Sequence, residues 1–455
     1  MGFLDRFKKA KPKPRVAVIG LDGVGTPLIE ALTDAGVMPR MAELRRAGTL
    51  ARMTSSIPTI SSVSWSGFMT GTNPGRHGIY GFTDVKRDSY AVYFPNYRHV
   101  QGATIWDVLG AAGKRSIVLN IPNTYPAKDI QGVLVSGFVA VNIERAVTPA
   151  SVLPLLKSQG YKIDVDYVNA NERPDAFFKD LADTLAARRR TLAHFLREED
   201  WDCFIGVITE TDRLHHYFWS AYADPASPLH QRFLDFYADV DKAIGELIDT
   251  MPDGTPLFVL ADHGHTLIES EFYPNVWLRE QGLLQFKTPT PKSVADLDPS
   301  SKAFILDPGR IYLNLRGRFA NGVVEPGAEA KDLLARIADG LSAIEYPGQA
   351  VAGERHPVKQ VFRRDEIYKG PLLDQAPDAV LHFHNGFDIK GAVARDELFG
   401  RSALTGMHTY DDSLFYVNRR GVPAFDLAIT DIAPTILALL GLRPTEPMDG
   451  RVLGI

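Results

Sequence analysis

Four short, uninterrupted apolar runs constrain this chain more than any other feature. They are "RVAVIGLDG" (15–23), "KRSIVLNIP" (114–122), "DCFIGVITETD" (202–212) and "PLFVLADHG" (256–264). A strand that is apolar on both faces needs cover on both, so such runs read as inner strands of a parallel sheet. Between them lie segments with helical spacing: "LIEALTDAG" (28–36), "MPRMAELRRAG" (38–48), "DAFFKDLADTLAARRRTLAHFLRE" (175–198) and "HQRFLDFYADVDKAIGELIDTM" (230–251). Gly36 and Gly48 follow the first two as expected C-caps. The alternation predicts an α/β fold with a mostly parallel central sheet flanked by helices.

The rhythm breaks over 287–397. A linker-like stretch, "TPTPKSVADLDPSSK", leads into strand patterns "RIYLNLRG" and "DAVLHFHNGF" around one helix, "EAKDLLARIADGLSAI". The expected organisation is a basic tail at 1–14, an α/β core at 15–286 and 398–455, and an inserted α+β cap at 287–397. A net charge of −5, from 50 basic and 55 acidic residues, gives no footprint for a nucleic-acid polymer. The single cysteine, Cys203, lies in an apolar run and reads as a small buried hydrophobe. No apolar run nears the ~20 residues of a membrane span, and the start "MGFLDRFKKAKPKPR" lacks a signal-peptide core, so a cytoplasmic location is expected. Phe3, Leu4 and Phe7 stand at helical spacing in that basic start. We expect a solvated tail there, with weak contact to an anionic membrane surface as the alternative.

The apolar strands deliver acids to one edge of the sheet. Asp22 follows the first, Asp212 the third, and Asp262 with His263 the fourth. Ligands collect beyond the carboxyl ends of strands in open α/β sheets. Three gathered carboxylates repel one another unless a cation intervenes. Asp212 and His216 are four apart, so a helical turn puts both on one face. His408 sits in the glycine-preceded loop "GMHTYDD". Mixed carboxylate and imidazole donors suit zinc first and manganese second. "GLDGVG" lacks the spacing of a dinucleotide loop, and its aspartate would oppose pyrophosphate.

The stretch "PTISSVSWSGFMTGTNPGRHGI" (58–79) gathers serines ahead of Trp65, Phe68 and Met69, which lie at i, i+3 and i+4. That spacing predicts a short buried helix with Ser61 at its start. Together with "VIGLDGVG", "TETDRLHHYFW", "VLADHGH", "GMHTYDD" and "DIAPTILALLGLRPTEPMDGRVL", this stretch resembles the alkaline phosphatase superfamily, specifically its type I phosphodiesterase/nucleotide pyrophosphatase branch. The resemblance runs through almost the whole chain from residue 16.

The resemblance implies a phosphohydrolase with two divalent metal ions flanking a hydroxyl nucleophile. Counting back from Thr70-Gly71 places that nucleophile at Ser61, where the family more often carries threonine. One ion would be held by Asp22, Asp262, His263 and Ser61, the other by Asp212, His216 and His408. The resemblance selects His216 over His215 and His263 over His265. Ser61 also suits the role physically, since a helix N-terminus favours an anion. Ser64 is expected to donate to a phosphoryl oxygen and Tyr217 to wall the substrate pocket. Ser62 and Ser66 are expected to serve packing, and His77 to fix its turn by hydrogen bonds to backbone. The expected activity is that of a phosphodiesterase or nucleotide pyrophosphatase working through a phosphoserine intermediate on a small phosphorylated substrate: a phosphodiester, nucleotide or lipid head group. The alternatives are a phosphomonoesterase or phosphomutase on the same site and, from another class, a non-catalytic metal- or phosphate-binding protein. A sulfatase is not expected, because no cysteine stands at the nucleophile position.

Overall fold

The strand Val16–Leu21 is buried along its whole length, and its alternate residues feed two different cores. Ala17, Ile19 and Leu21 pack with residues of the helices Thr26–Asp34, Pro174–Glu198 and His230–Thr250. Val16 and Val18 pack on the other face with Val63, Trp65, Phe68 and Met69 of the helix Ser61–Thr70. The computed structural model describes residues 13–168, 170–351, 353–422 and 426–455. The expected tail lies mostly outside the described residues, as do Phe3, Leu4 and Phe7.

The central sheet has nine strands. In spatial order they are Leu427–Ala428, Thr49–Thr54, Ser413–Val417, Leu257–Leu260, Val16–Leu21, Cys203–Ile208, Ser116–Ile121, Gly132–Ser136 and Val147–Thr148. The four apolar runs are inner strands and pair in parallel, Val16–Leu21 lying between Cys203–Ile208 and Leu257–Leu260. Antiparallel pairing enters through Ser413–Val417 and Val147–Thr148. Cys203 is fully buried, and burial pushes its thiol up to about 12, which removes it as a nucleophile. No helix among the described residues is long and apolar enough to cross a membrane.

Gly36 takes the left-handed conformation expected of a C-cap, with φ 74°. Gly48 does not, since its backbone is extended with φ −116°. It is glycine for a different reason, as a Cβ there would lie 2.3 Å from the Val417 carbonyl oxygen.

Beyond residue 287 a second, antiparallel sheet forms in the order Ala303–Leu306, Arg310–Leu313, Ala379–Phe383, Val358–Arg363. The helix Ala328–Ser342 shares a core with it through Leu333, Ile337 and Leu341. Two of these strands match the sequence reading and two go beyond it. Val358–Arg363 is largely exposed and charged, so it lacks an apolar signature. This core reaches back to Phe272, Leu278 and Leu283.

Candidate functional site

The chain turns sharply where the strand Val16–Leu21 ends, and Asp22 follows at once with Gly23 at φ 72°. Asp262 and His263 leave the neighbouring strand Leu257–Leu260 in the same way. Asp212 and His216 lie in the first turns of the helix Glu210–Ala223, four apart and on one face. His408 arrives on the strand Gly406–Thr409, which pairs antiparallel with Gly264–Leu267 so that His408 stands opposite His265. Ser61 is the first residue of the helix Ser61–Thr70, whose N-terminus has no side-chain cap.

These residues meet in two groups, Asp22/Asp262/His263 and Asp212/His216/His265/His408, whose ligand atoms lie within 4.8 Å of one another in each. Ser61 Oγ is 3.1 Å from His263 Nε2 and 3.4 Å from Asp22 Oδ1. Each carboxylate has one oxygen held by the protein. Trp65 Nε1 donates to Asp22 Oδ2 at 3.0 Å, the Gly23 amide to Asp262 Oδ1 at 3.1 Å, and Arg213 Nη1 to Asp212 Oδ2 at 3.1 Å. The opposite oxygens of Asp262 and Asp212 are buried and accept no hydrogen bond. Buried carboxylate oxygens without donors are costly unless a cation meets them.

The imidazoles point the same way. His216, His263 and His408 each donate Nδ1–H to a backbone carbonyl, those of Gly406, Gly264 and Thr59, at 3.1, 3.0 and 3.1 Å. A carbonyl only accepts, so Nδ1 carries a proton and Nε2 is the nitrogen that faces inward, as metal ligation requires. Burial holds His263 well below its ordinary value, hence neutral. The arrangement therefore fits two divalent cations.

Burial, then the charges of Asp262 and Asp212, raises Asp22 well above the usual carboxylate range. Burial also pushes Asp262 up to about 7. Asp212 would be raised by burial too, but His216, His408 and Arg213 hold it well below its usual value. A cation at Asp22 and Asp262 must displace a proton below about pH 7. Zinc affinity there is expected to rise by at least about one log unit per pH unit up to neutrality. Titration calorimetry in buffers of different ionisation enthalpy measures the released proton, and a pH-independent affinity would contradict this assignment.

A cavity of about 380 Å³ opens over Ser61. Its apolar walls include Phe82, Phe138, Tyr167, Tyr217 and Phe383. Phe82 stacks on Phe138 at 5.5 Å, and Tyr167 on Tyr217 at 6.2 Å. Tyr217 thus stands where a pocket wall was expected, whereas Phe218 and Trp219 belong to the core. Arg213 and Lys390 also line the cavity. Arg213 is tied to Asp164 at 2.7 Å and Asp212 at 3.1 Å, and Lys390 to Asp388 at 2.6 Å.

Ser64 is not where the sequence suggested. It is fully buried, and its hydroxyl lies 2.9 Å from Ser55 Oγ and 2.7 Å from Ser56 Oγ, away from the cavity. Three residues along the helix from Ser61, its side chain meets the preceding turn instead of the substrate space. Ser62 is the serine that joins Ser61 on the wall, with a buried, unpartnered hydroxyl. His77 fixes its turn, accepting the Ile79 amide on Nδ1 at 3.2 Å, and burial lowers it to about 3. His215 is satisfied within the core by the Gly23 carbonyl and the Tyr237 hydroxyl. The sequence reading missed Lys390 and Phe383, which arrive from a segment more than 110 residues beyond the Asp262–Gly264 turn and carry no motif. It also missed Gly23, although a glycine directly after a strand-end aspartate was a signal for it.

No curated protein sequence matches this chain. Among solved structures, phosphonoacetate hydrolase from Sinorhizobium meliloti 1021 in complex with phosphonoformate superposes with a TM-score of 0.63 at 20% identity, covering 94% of this chain and 96% of that one. Murine ectonucleotide pyrophosphatase/phosphodiesterase 5 superposes with a TM-score of 0.57 at 15% identity, covering 96% and 97%, and an inactive variant of it is known in complex with AMP. At these identities the likeness is one of fold, that of the alkaline phosphatase superfamily. The family model described as type I phosphodiesterase / nucleotide pyrophosphatase matches residues 16–411, and the chain belongs to that family.

Proposed function

We propose that this hydrolase is a metal-dependent phosphodiesterase in which Ser61 is the nucleophile. The observation that carries the reading is the position of Ser61 Oγ, 3.1 Å from His263 Nε2 and 3.4 Å from Asp22 Oδ1 at an uncapped helix N-terminus. Asp22, Asp262 and His263 would hold one divalent cation beside it, and Asp212, His216 and His408 the other, zinc suiting these donors best and manganese next. The cations supply the positive charge that lowers the serine pKa and offsets charge on the phosphoryl oxygens. Ser61 Oγ attacks phosphorus in line, an O–P bond forms, and the bond to the leaving oxygen breaks as that group departs into the cavity. Water then cleaves the phosphoseryl ester and returns a proton to Ser61. Two inversions give overall retention at phosphorus.

The cavity favours a diester over a monoester. A monoester dianion calls for unpaired cations, but Arg213 and Lys390 are both neutralised by aspartates. The aromatic walls suit a leaving group with a flat or apolar part, as in a nucleotide or a lipid head group with part of its chain. Residues 287–397 act in this reading as a cap, supplying Phe383 and Lys390 to the wall.

Bis-p-nitrophenyl phosphate is expected to turn over at least about tenfold faster than p-nitrophenyl phosphate, a difference of ~1.4 kcal/mol in transition-state binding. Steady-state kinetics with zinc or manganese checks this. A monoester preference points instead to the phosphomonoesterase or phosphomutase reading, and no turnover of either to a binding protein. Zinc-reconstituted protein is expected to hold two ions per chain by metal analysis. Fewer than one ion per chain after supplementation would overturn the two-metal reading.

A further inference from the structure

We propose that His265 is a fourth protein ligand of the cation held by Asp212, His216 and His408, so that one carboxylate and three imidazoles surround it. The proposal rests on the two-metal reading above. His265 is buried, and its Nδ1 donates to the Gly23 carbonyl at 2.8 Å. That bond leaves Nε2 as a lone pair. Nε2 has no hydrogen-bond partner. It faces Asp212 Oδ1, which is likewise buried and unpartnered, at 3.7 Å.

The spacings are those of ligands around one ion. Asp212 Oδ1 lies 3.4 Å from His216 Nε2, 3.7 Å from His265 Nε2 and 3.6 Å from His408 Nε2, and the last lies 3.1 Å from His216 Nε2. Four donors about 2.0–2.2 Å from a central zinc are separated by roughly these distances. A hydrogen bond from His265 to Asp212 is a poorer account, because 3.7 Å is too long. His215 provides an internal contrast. It bonds the same Gly23 carbonyl through Nδ1, but its Nε2 meets the Tyr237 hydroxyl at 2.6 Å and is satisfied without a metal. His265 has the same anchor and nothing at its other nitrogen.

The two sites then differ in kind. The site beside Ser61 has two carboxylates, one imidazole and a hydroxyl, donors that zinc and manganese share. The Asp212 site is nitrogen-rich with four protein donors, which favours zinc and tight retention. Zinc should enter the Asp212 site first, and manganese should exchange only into the other.

X-ray absorption of the full-length protein loaded with one equivalent of zinc tests this without reference to turnover. Three imidazole ligands are expected, and two or fewer would overturn the proposal. In chelator competition, His265→Ala and His265→Gln should each weaken the tighter zinc class by more than about 100-fold, beyond the usual loss for an outer hydrogen-bond partner. The weaker class should not change. A loss of under threefold in the tighter class, in a variant whose circular dichroism matches the parent, would overturn the proposal. Protein that binds zinc through two imidazoles defeats this assignment alone, whereas protein that binds no zinc defeats the two-metal reading with it.

Discussion

Ser61→Ala is expected to lower kcat on a diester by at least about 10³-fold, because no neighbouring hydroxyl can take over the attack. Ser62 is next along the helix and Ser64 is buried against Ser55 and Ser56. Asp22, Asp262 and His263 remain, so zinc should still bind there, though more weakly for want of one oxygen. The neighbouring serines supply controls of opposite sign. Ser64→Ala should cost roughly 1 kcal/mol of stability by stranding two hydroxyl partners, with turnover unchanged. Ser62→Ala should leave stability nearly intact and change turnover by about tenfold or less, since its unpartnered hydroxyl lines the cavity. Ser61→Thr should retain partial activity, the hydroxyl being kept and one methyl added on the open side. Kinetics on the four variants, each checked for metal content and melting temperature, settle the assignment. Near-parental turnover in Ser61→Ala, with Ser62→Ala dead, would move the nucleophile by one residue.

That Ser64 turns away from the cavity while Ser61 lines it is visible in three dimensions and ambiguous in one, and the reason is helix geometry. Residues three apart share a face only loosely, about 60° off, and the direction of the entering chain decides which one meets the substrate space. The strand-end acids were legible because their placement is topological: a parallel sheet must present its carboxyl ends together. Asp212 and His216 were legible because four residues make one helical turn. His265 was not. It stands two residues from His263 on a strand-like segment, where alternation puts both rings on one face. Which of them meets which cation then depends on the Gly23 turn and on the pairing of Gly264–Leu267 with Gly406–Thr409, a contact spanning over 130 residues. Lys390 and Phe383 escaped for a related reason. A cavity wall built from a distant segment has no local pattern to betray it.

Gly23→Ala is expected to abolish activity almost as fully as Ser61→Ala, without removing any side chain that touches substrate. Gly23 does three things through its backbone. Its amide holds Asp262 Oδ1 at 3.1 Å, and its carbonyl accepts from His215 and His265 at 2.9 and 2.8 Å. These bonds need φ at 72°, in the left-handed region. A Cβ there would lie 2.7 Å from His265 Cε1 and 3.1 Å from Asp212 Oδ1, so the ring and the carboxylate must move. Gly36 separates this steric effect from backbone strain. It has φ 74° as well, yet a Cβ there meets nothing within 4 Å. Gly36→Ala should therefore cost only the ~1–2 kcal/mol of a left-handed alanine and leave kcat and metal content at parental values. Gly23→Ala carries that same strain and adds displacement of two groups of the Asp212 cluster. A misplacement of about 1 Å costs on the order of 10²-fold in rate, and two displaced groups should lose more. Zinc content and kcat should fall together in Gly23→Ala, and its melting temperature, measured free of metal, should fall further than that of Gly36→Ala because the buried ring and carboxylate must also move. If Gly23→Ala instead retains two zinc ions and parental turnover, the turn after the first strand does not position the metal ligands.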